Sequence, residues 1–241
     1  MGRSKTRAVN DEATALFSNL AEQVRVPFLQ ISHISELALI KDDPEELKRL
    51  FKEVGVSSKA ALRLIEGYIL SLHLKQQQTL ELEPISIGSV FYDVAHQVEE
   101  YAKSHDCDVR LSIKGKNQPV MTQREAVESA LINLGYSFID AIANTDKKVT
   151  ITLGAGKNSA GVSAGVFSDS GELTSELFKK AKQLKGIAKQ PLGLFTAGSG
   201  AGVFVADSLF EALGRQLRVA KMQSQKGLAV TLDPSHQLAI I

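Results

Sequence analysis

Residues 198–206 read Gly198-Ser199-Gly200-Ala201-Gly202-Val203-Phe204-Val205-Ala206, and Leu209 and Leu213 carry the apolar pattern on to Gly214. Three glycines at alternate positions leave backbone N–H groups uncovered, and the apolar run behind them predicts a helix over Gly200–Leu213. Backbone N–H groups at a helix N-terminus favour anions such as phosphate. The stretch is not a Walker loop, which needs Lys and Ser/Thr after the last glycine. Nor is it a Rossmann opening, because no strand leads directly into it.

Downstream, Gln216–Met222 and Leu228–Leu232 predict two closing strands, and residues 236–241 read as a frayed tail. Upstream lies a basic stretch with Lys179, Lys180, Lys182, Lys185 and Lys189, in which Glu176–Leu184 predicts a short helix. Before it, Asp169-Ser170-Gly171 follows a strand expected at Val162–Phe167. An aspartate at a strand end can accept a hydrogen bond from an amino group, although alone such a triplet is more often a turn. Further back, Val149–Leu153 predicts a strand and Gln123–Asn144 a helix. Asp108–Lys114 alternates as a strand with Val109, Leu111 and Ile113 on one face, and Ser89–Ser104 predicts another helix. Helices interleaved with neighbouring strands predict an α/β sandwich over residues 79–235.

The first third differs. After a basic lead (1–11), a helix is expected from Asp11 to Ile40, with Phe17, Leu20, Val24, Pro27, Ile31, Ile34 and Ala38 spaced by threes and fours. Lys41-Asp42-Asp43-Pro44 reads as a turn, Asp43 as an N-cap and Pro44 as the first helical residue. The second helix is expected at Pro44–Gln76, with a seam of Leu47, Leu50, Val54, Ala61, Ile65, Ile69 and Leu72. Residues 12–78 thus predict an antiparallel helical hairpin. Gln76-Gln77-Gln78 and Leu80-Glu81-Leu82-Glu83-Pro84 read as the linker that follows. A lone hairpin cannot bury its apolar stripe. The narrowness and length of the stripes favour a second copy, giving a four-helix bundle, over packing on the rest of the chain.

Composition narrows the function classes. The 241 residues are 44% apolar and 23% charged, as in soluble globular proteins, and the net charge of +1 supplies no field for nucleic acid or membrane. No basic-aromatic face for nucleic acid is apparent. Cys107 is the one cysteine, so no intrachain disulfide forms. The longest uncharged stretch, Gln190–Ala206, contains four glycines and a proline and makes a poor membrane span. No apolar block follows the basic start, so no secretory signal is expected and a cytoplasmic location is. Met1-Gly2-Arg3-Ser4-Lys5-Thr6 fits the loose myristoylation pattern, with a polar tail the favoured reading. No nucleophile–base or metal-ligand cluster points to a metabolic enzyme.

Hairpin, linker, helix, strand, long helix, strands, Asp-x-Gly, basic segment, Gly-x-Gly-x-Gly and closing strands occur in that order. Over residues 12–234 this resembles the dimerisation and ATP-binding core of bacterial sensor histidine kinases. Leu80–Gly88 resembles the approach to the nucleotide domain, Gly198–Gly214 the second glycine box with its helix, and Gly227–Leu232 the final strand. The resemblance implies an α+β chain: a two-helix hairpin, a four-helix bundle as the dimer, then an α/β sandwich of the histidine-kinase ATPase type. It implies a nucleotide pocket in which Asp169 takes the adenine amino group, followed by Gly171. Gly198, Gly200 and Gly202 would line the phosphates. The lysines at 179–189 would form a lid, with Phe195 as its aromatic, although they read equally as a solvated face. ATP or ADP with Mg²⁺ are the implied cofactors, with none as the alternative.

Val24-Arg25-Val26-Pro27-Phe28 resembles the family's Leu-Arg-Thr-Pro-Leu, and Ser35-Glu36-Leu37 falls at the expected distance. In this register Arg25 and Pro27 keep their places, and the phosphoacceptor position holds Glu22 rather than histidine. His33 lies eleven residues on, nearly on the same helical face and about 16 Å further along at the ~1.5 Å rise, without the following Arg and Pro. The family's metal helix, Asn-x-x-x-Asn-Ala, fits in two registers: Asn133 with Ser137, or Tyr136 with Asp140-Ala141. Asn133, Ser137 and Asp140 stand at i, i+4 and i+7 on one face, and Asn133 with Asp140 would ligate Mg²⁺ through oxygen. Leu173 replaces the glycine expected two residues after Gly171.

These departures favour a pseudokinase: a dimeric two-component scaffold that binds a response-regulator receiver domain or another histidine kinase, with Glu22 supplying part of a phosphohistidine's charge. Two alternatives stay open. One is an active ATP-dependent kinase using His33 or a partner histidine. The other is a histidine phosphotransfer protein with a decayed ATP domain.

Overall fold

The computed structural model describes residues 21, 24–25, 27–114, 119–142, 149–169 and 199–235. The described residues begin with α1, helical over residues 27–39 and at 21, 24 and 25, which turns into α2 (Pro44–Gln76). The turn is built as its residues dictate. Asp43 is the N-cap, its carboxylate accepting from the Glu45 N–H at 3.1 Å, and Pro44 stands in the first turn, where its missing N–H costs nothing. Glu45 and Glu46 complement the positive helix end, and His73 and Lys75 the negative one.

Beyond the hairpin follow β1 (Glu83–Ile85), α3 (Ile87–Lys103), β2 (Cys107–Ile113), β3 (Val120–Thr122), α4 (Arg124–Ile142), β4 (Val149–Asn158) and β5 (Gly161–Ser168). The described chain closes with α5 (Ser199–Ala212), β6 (Arg218–Met222) and β7 (Gln225–Leu232). The order of the main sheet is β2-β4-β5-β7-β6, with β2 parallel to β4 and the other pairs antiparallel. β1 and β3 make a separate antiparallel pair, so part of the expected linker is a strand. β4 runs five residues past the expected Leu153 because it pairs with β5 down to Asn158↔Gly161. Gly161 closes that hairpin at φ +148°, and a Cβ there would overlap the Leu232 carbonyl.

Helices α3, α4 and α5 pack beside one another, and one apolar core joins them to the sheet. Phe91, Leu131, Leu134, Ile139, Leu209 and Phe210 are fully enclosed in it. The same core takes in Val56, Tyr68 and Leu74 of α2. The hairpin is therefore not left with only a second copy to cover it. One face of α2, with Val56, Ala61, Gly67, Tyr68, Ser71 and Leu74 buried, lies on α4 and α5. Of the expected seam, Leu50 and Ala61 are buried, whereas Ile69 and Leu72 are exposed. A second apolar stripe, Phe51, Leu62, Ile69 and Leu72, faces outward.

Candidate functional site

The site is organised by α4. Its apolar residues Val127, Ala130, Leu131, Leu134, Phe138 and Ile139 are buried in the core, which leaves the polar residues on a neighbouring face between elements. Two of those, Asn133 and Ser137, are also buried, at 1% and 2% exposure. A buried amide must find partners. The Asn133 Nδ2 donates to Ser129 O at 2.9 Å within α4 and to Arg63 O of α2 at 3.4 Å.

Gly202, in the first turns of α5, sits directly on this pair. A Cβ there would overlap the Ser137 hydroxyl and the Asn133 carbonyl oxygen. Glycine is required at this position by close helix–helix approach. At Gly200, by contrast, no atom of the described residues lies within 4 Å of a built Cβ. The glycine helix thus meets the Asn133/Ser137 register of α4.

Asp140 goes elsewhere. Its carboxylate accepts from the Tyr101 hydroxyl of α3 at 2.5 Å. The Tyr101 ring stacks on Tyr136 with centroids 4.2 Å apart and lies 4.5 Å from the His105 ring. Burial pushes the Asp140 carboxyl above the ordinary aspartate range, against the opposing pull of the Tyr101 hydroxyl and of His105. Burial and the Asp140 charge together raise the Tyr101 phenol. The expected cation pair, Asn133 and Asp140, is thus engaged with two different neighbours. The Asn133 amide is bonded to two backbone carbonyls, and the Asp140 carboxylate is turned to α3. Among the described residues, no cluster of three or more His, Cys, Asp and Glu side chains is placed to hold a metal.

The remaining expected residues are spread out. Asp169 is exposed just beyond the end of β5. Arg25 is exposed and Pro27 partly buried on α1. Glu22, Gly171, Leu173, the lysines at 179–189, Phe195 and Gly198 lie outside the described residues, as does the expected helix Glu176–Leu184. His33 is exposed, and it lines a cleft of ≈ 360 Å³ together with Gln30, Glu53, Ser57, Tyr101 and His105. That cleft has no signature in the sequence, because its two imidazoles come from α1 and from the turn after α3, with no motif around His105. Among the described residues, no helix is long and apolar enough to cross a membrane.

No protein-family model matches the chain, and no curated protein does. Solved structures do. The histidine kinase AdeS of Acinetobacter baumannii superposes with a TM-score of 0.55 at 17% identity, covering 89% of this chain and 98% of AdeS. The histidine kinase ThkA, solved in complex with the response regulator protein TrrA, gives 0.58 at 18% identity over 96% of this chain and 64% of that one. Full-length ShkA in complex with AMPPNP gives 0.55 at 14% identity over 94% of this chain and 46% of that one. At these identities the likeness is one of fold: the chain is built on the sensor histidine kinase core, a helical hairpin followed by an ATPase-type α/β sandwich.

Proposed function

We propose that the chain is a two-component pseudokinase, a scaffold that pairs through its hairpin and engages a receiver domain or another histidine kinase. The observation that carries this reading is the state of α4. Where the resemblance puts the second metal-binding asparagine stands Ser137, buried under Gly202, and the first, Asn133, gives its amide to backbone carbonyls. Ser137 offers a hydroxyl where the resemblance expects an amide carbonyl oxygen, one of the oxygen types that hard cations take. Glu22 at the acceptor position removes the imidazole nucleophile as well. ThkA, solved with a response regulator, supports a receiver domain as the partner class. A cytoplasmic location goes with that role.

A second reading, a histidine phosphotransfer protein, is favoured by His33, which is exposed and shares its cleft with Glu53 and His105. It needs no nucleotide. An active kinase, for which ShkA with AMPPNP is the precedent in this fold, needs Asn133 and its neighbours to hold Mg·ATP.

Radiolabelled ATP with Mg²⁺, and separately a phosphorylated receiver domain, test the three readings on the full chain. No label on the chain from either source is the expected outcome. Label from ATP that disappears in His33→Ala would establish a kinase and overturn the proposal. Label from the receiver alone, lost in the same variant, would establish phosphotransfer.

A further inference from the structure

α2 runs along the sandwich on the face that presents Asn133. Arg63 and Gly67 stand four residues apart, one above the other on the same side of α2. Because Gly67 has no side chain, the Arg63 carbonyl is uncovered, and the Asn133 amide reaches it at 3.4 Å. A Cβ built on Gly67 would lie 2.7 Å from Val205 Cγ1 and 2.9 Å from both Asn133 Nδ2 and Ser129 Oγ. Val205 is fully buried and branched at Cβ, so it cannot swing aside.

The contact continues in both directions. Beside Gly67, Tyr68 lies over Phe204 of α5 with ring centroids 6.3 Å apart, and Leu74 closes the far end at 3% exposure. Polar pairs flank the seam: Lys59 with Glu100 at 2.7 Å, Arg63 with Gln97 at 2.6 Å, and Lys75 with Glu211 at 4.0 Å. Exposed pairs of this kind add little each, so the apolar contact around Gly67 holds the helix. From Lys59 to Lys75 the seam spans about four turns.

For a phosphate oxygen to take the Asn133 amide, that amide must leave Arg63 O, and α2 must withdraw from van der Waals contact. We infer that α2 is a built-in competitor for the nucleotide face: docked α2 and a nucleotide phosphate on Asn133 exclude one another. This rests on the pseudokinase reading of α4, and it adds a coupling. Whatever occupies the Asn133 face releases the second hairpin helix, and whatever clamps that helix closes the face. By linkage the two effects are equal in size.

The test uses the full chain and two leucine substitutions on the same helix. Gly67→Leu drives a wedge into the seam. Gly55→Leu is the control, because nothing lies within 4 Å of its Cβ position. Hydrogen exchange is read over residues 61–74, and binding of Mg·ADP is read by calorimetry. In the wild type and in Gly55→Leu the segment is protected and Mg·ADP binds weakly or not at all. In Gly67→Leu the segment exchanges about tenfold faster or more while β5 and β7 keep their protection, and nucleotide affinity rises by about tenfold or more.

Should Gly67→Leu also expose the sheet, Tyr68→Ala loosens the same seam by removing a ring instead of adding a side chain. Unchanged protection in both variants would overturn the inference. So would nucleotide binding to the wild type with no change at 61–74, or release of α2 with no gain in affinity. Label transfer from ATP, which decides the pseudokinase reading, is read independently of all of these.

Discussion

Two glycines of one motif play different parts. Gly202 lies against the Asn133 carbonyl and the Ser137 hydroxyl, whereas no atom of the described residues comes within 4 Å of a Cβ built on Gly200. Gly202→Ala forces two packed helices apart and is expected to cost about 1–3 kcal/mol. Gly200→Ala gains helix propensity and is expected to be neutral or to stabilise by up to about 1 kcal/mol. Urea unfolding of the two variants checks the pair, and equal effects would contradict the contact. Asp140 gives a second test. Its pKa is raised from the ordinary 3.8 by burial, so the folded state holds its proton longer than the unfolded state does. Its contribution to stability is then fully present below the unfolded pKa. It is lost as pH rises towards the folded one, at about 1.4 kcal/mol for each pH unit that separates the two. Asp140→Asn, which still accepts from Tyr101, is expected to match the wild type below pH ~3.8 and to exceed it at neutral pH. Denaturant titrations at several pH values read this directly, and a variant less stable at pH 7 would refute it. In the sequence Gly202 reads as part of a phosphate-side loop, and nothing there shows that it packs on Asn133 and Ser137. Spacing along one helix places Asn133, Ser137 and Asp140 on one face; only the packing of α3 and α5 divides them between two neighbours.

At the scale of elements, α2 was read most fully. Asp43 and Pro44 fix its start, and the polar Gln76-Gln77-Gln78 marks its end. What one sequence of alternating threes and fours cannot show is that a helix carries two apolar faces. Ala61, Tyr68 and Leu74 cover the sandwich, while Leu62, Ile69 and Leu72 remain on another side, Leu62 at 54% and Ile69 at 47% exposure. The outward stripe, with Phe51, follows a heptad-like spacing that suits a second copy. Leu62→Glu with Ile69→Glu is therefore expected to turn a dimer into a monomer in analytical ultracentrifugation, leaving the helical circular dichroism in place. A wild-type monomer at micromolar concentration would remove hairpin pairing from the proposed function. β1 and β3 were not legible at all. Three residues are too few to show alternation, and Pro84 argues locally against a strand. Pairing across the fold decides them, Pro84 against Met121.

At the scale of the whole molecule, the boundary drawn at residue 78 separates two compositions but not two cores. Val56, Tyr68 and Leu74 belong to the same apolar cluster as Phe204, Leu209 and the sheet residues Val166 and Val230. A sequence records where a helical period ends and an alternating one begins. It does not record which face of the first packs on the second, because both halves satisfy their own pattern either way. Physically the choice follows from small residues in register: Gly67 on α2 and Gly202 on α5 allow three helices to meet around Asn133. If α2 and the sandwich share one core, they unfold together, and removing the hairpin strips the cover from Phe204 and its neighbours. Residues 79–235 alone are then expected to melt a few degrees below the full chain, by roughly the 2–4 °C that 1 kcal/mol brings in a domain of about 150–250 residues, or more. They are also expected to bind a hydrophobic dye at the uncovered patch. The full chain is expected to show one calorimetric transition whose van't Hoff and calorimetric enthalpies agree. Two separate transitions in the full chain, with the upper one unchanged in the 79–235 fragment, would mean that the hairpin and the sandwich are thermodynamically independent, and the docked α2 would then have no hold on the face that carries Asn133.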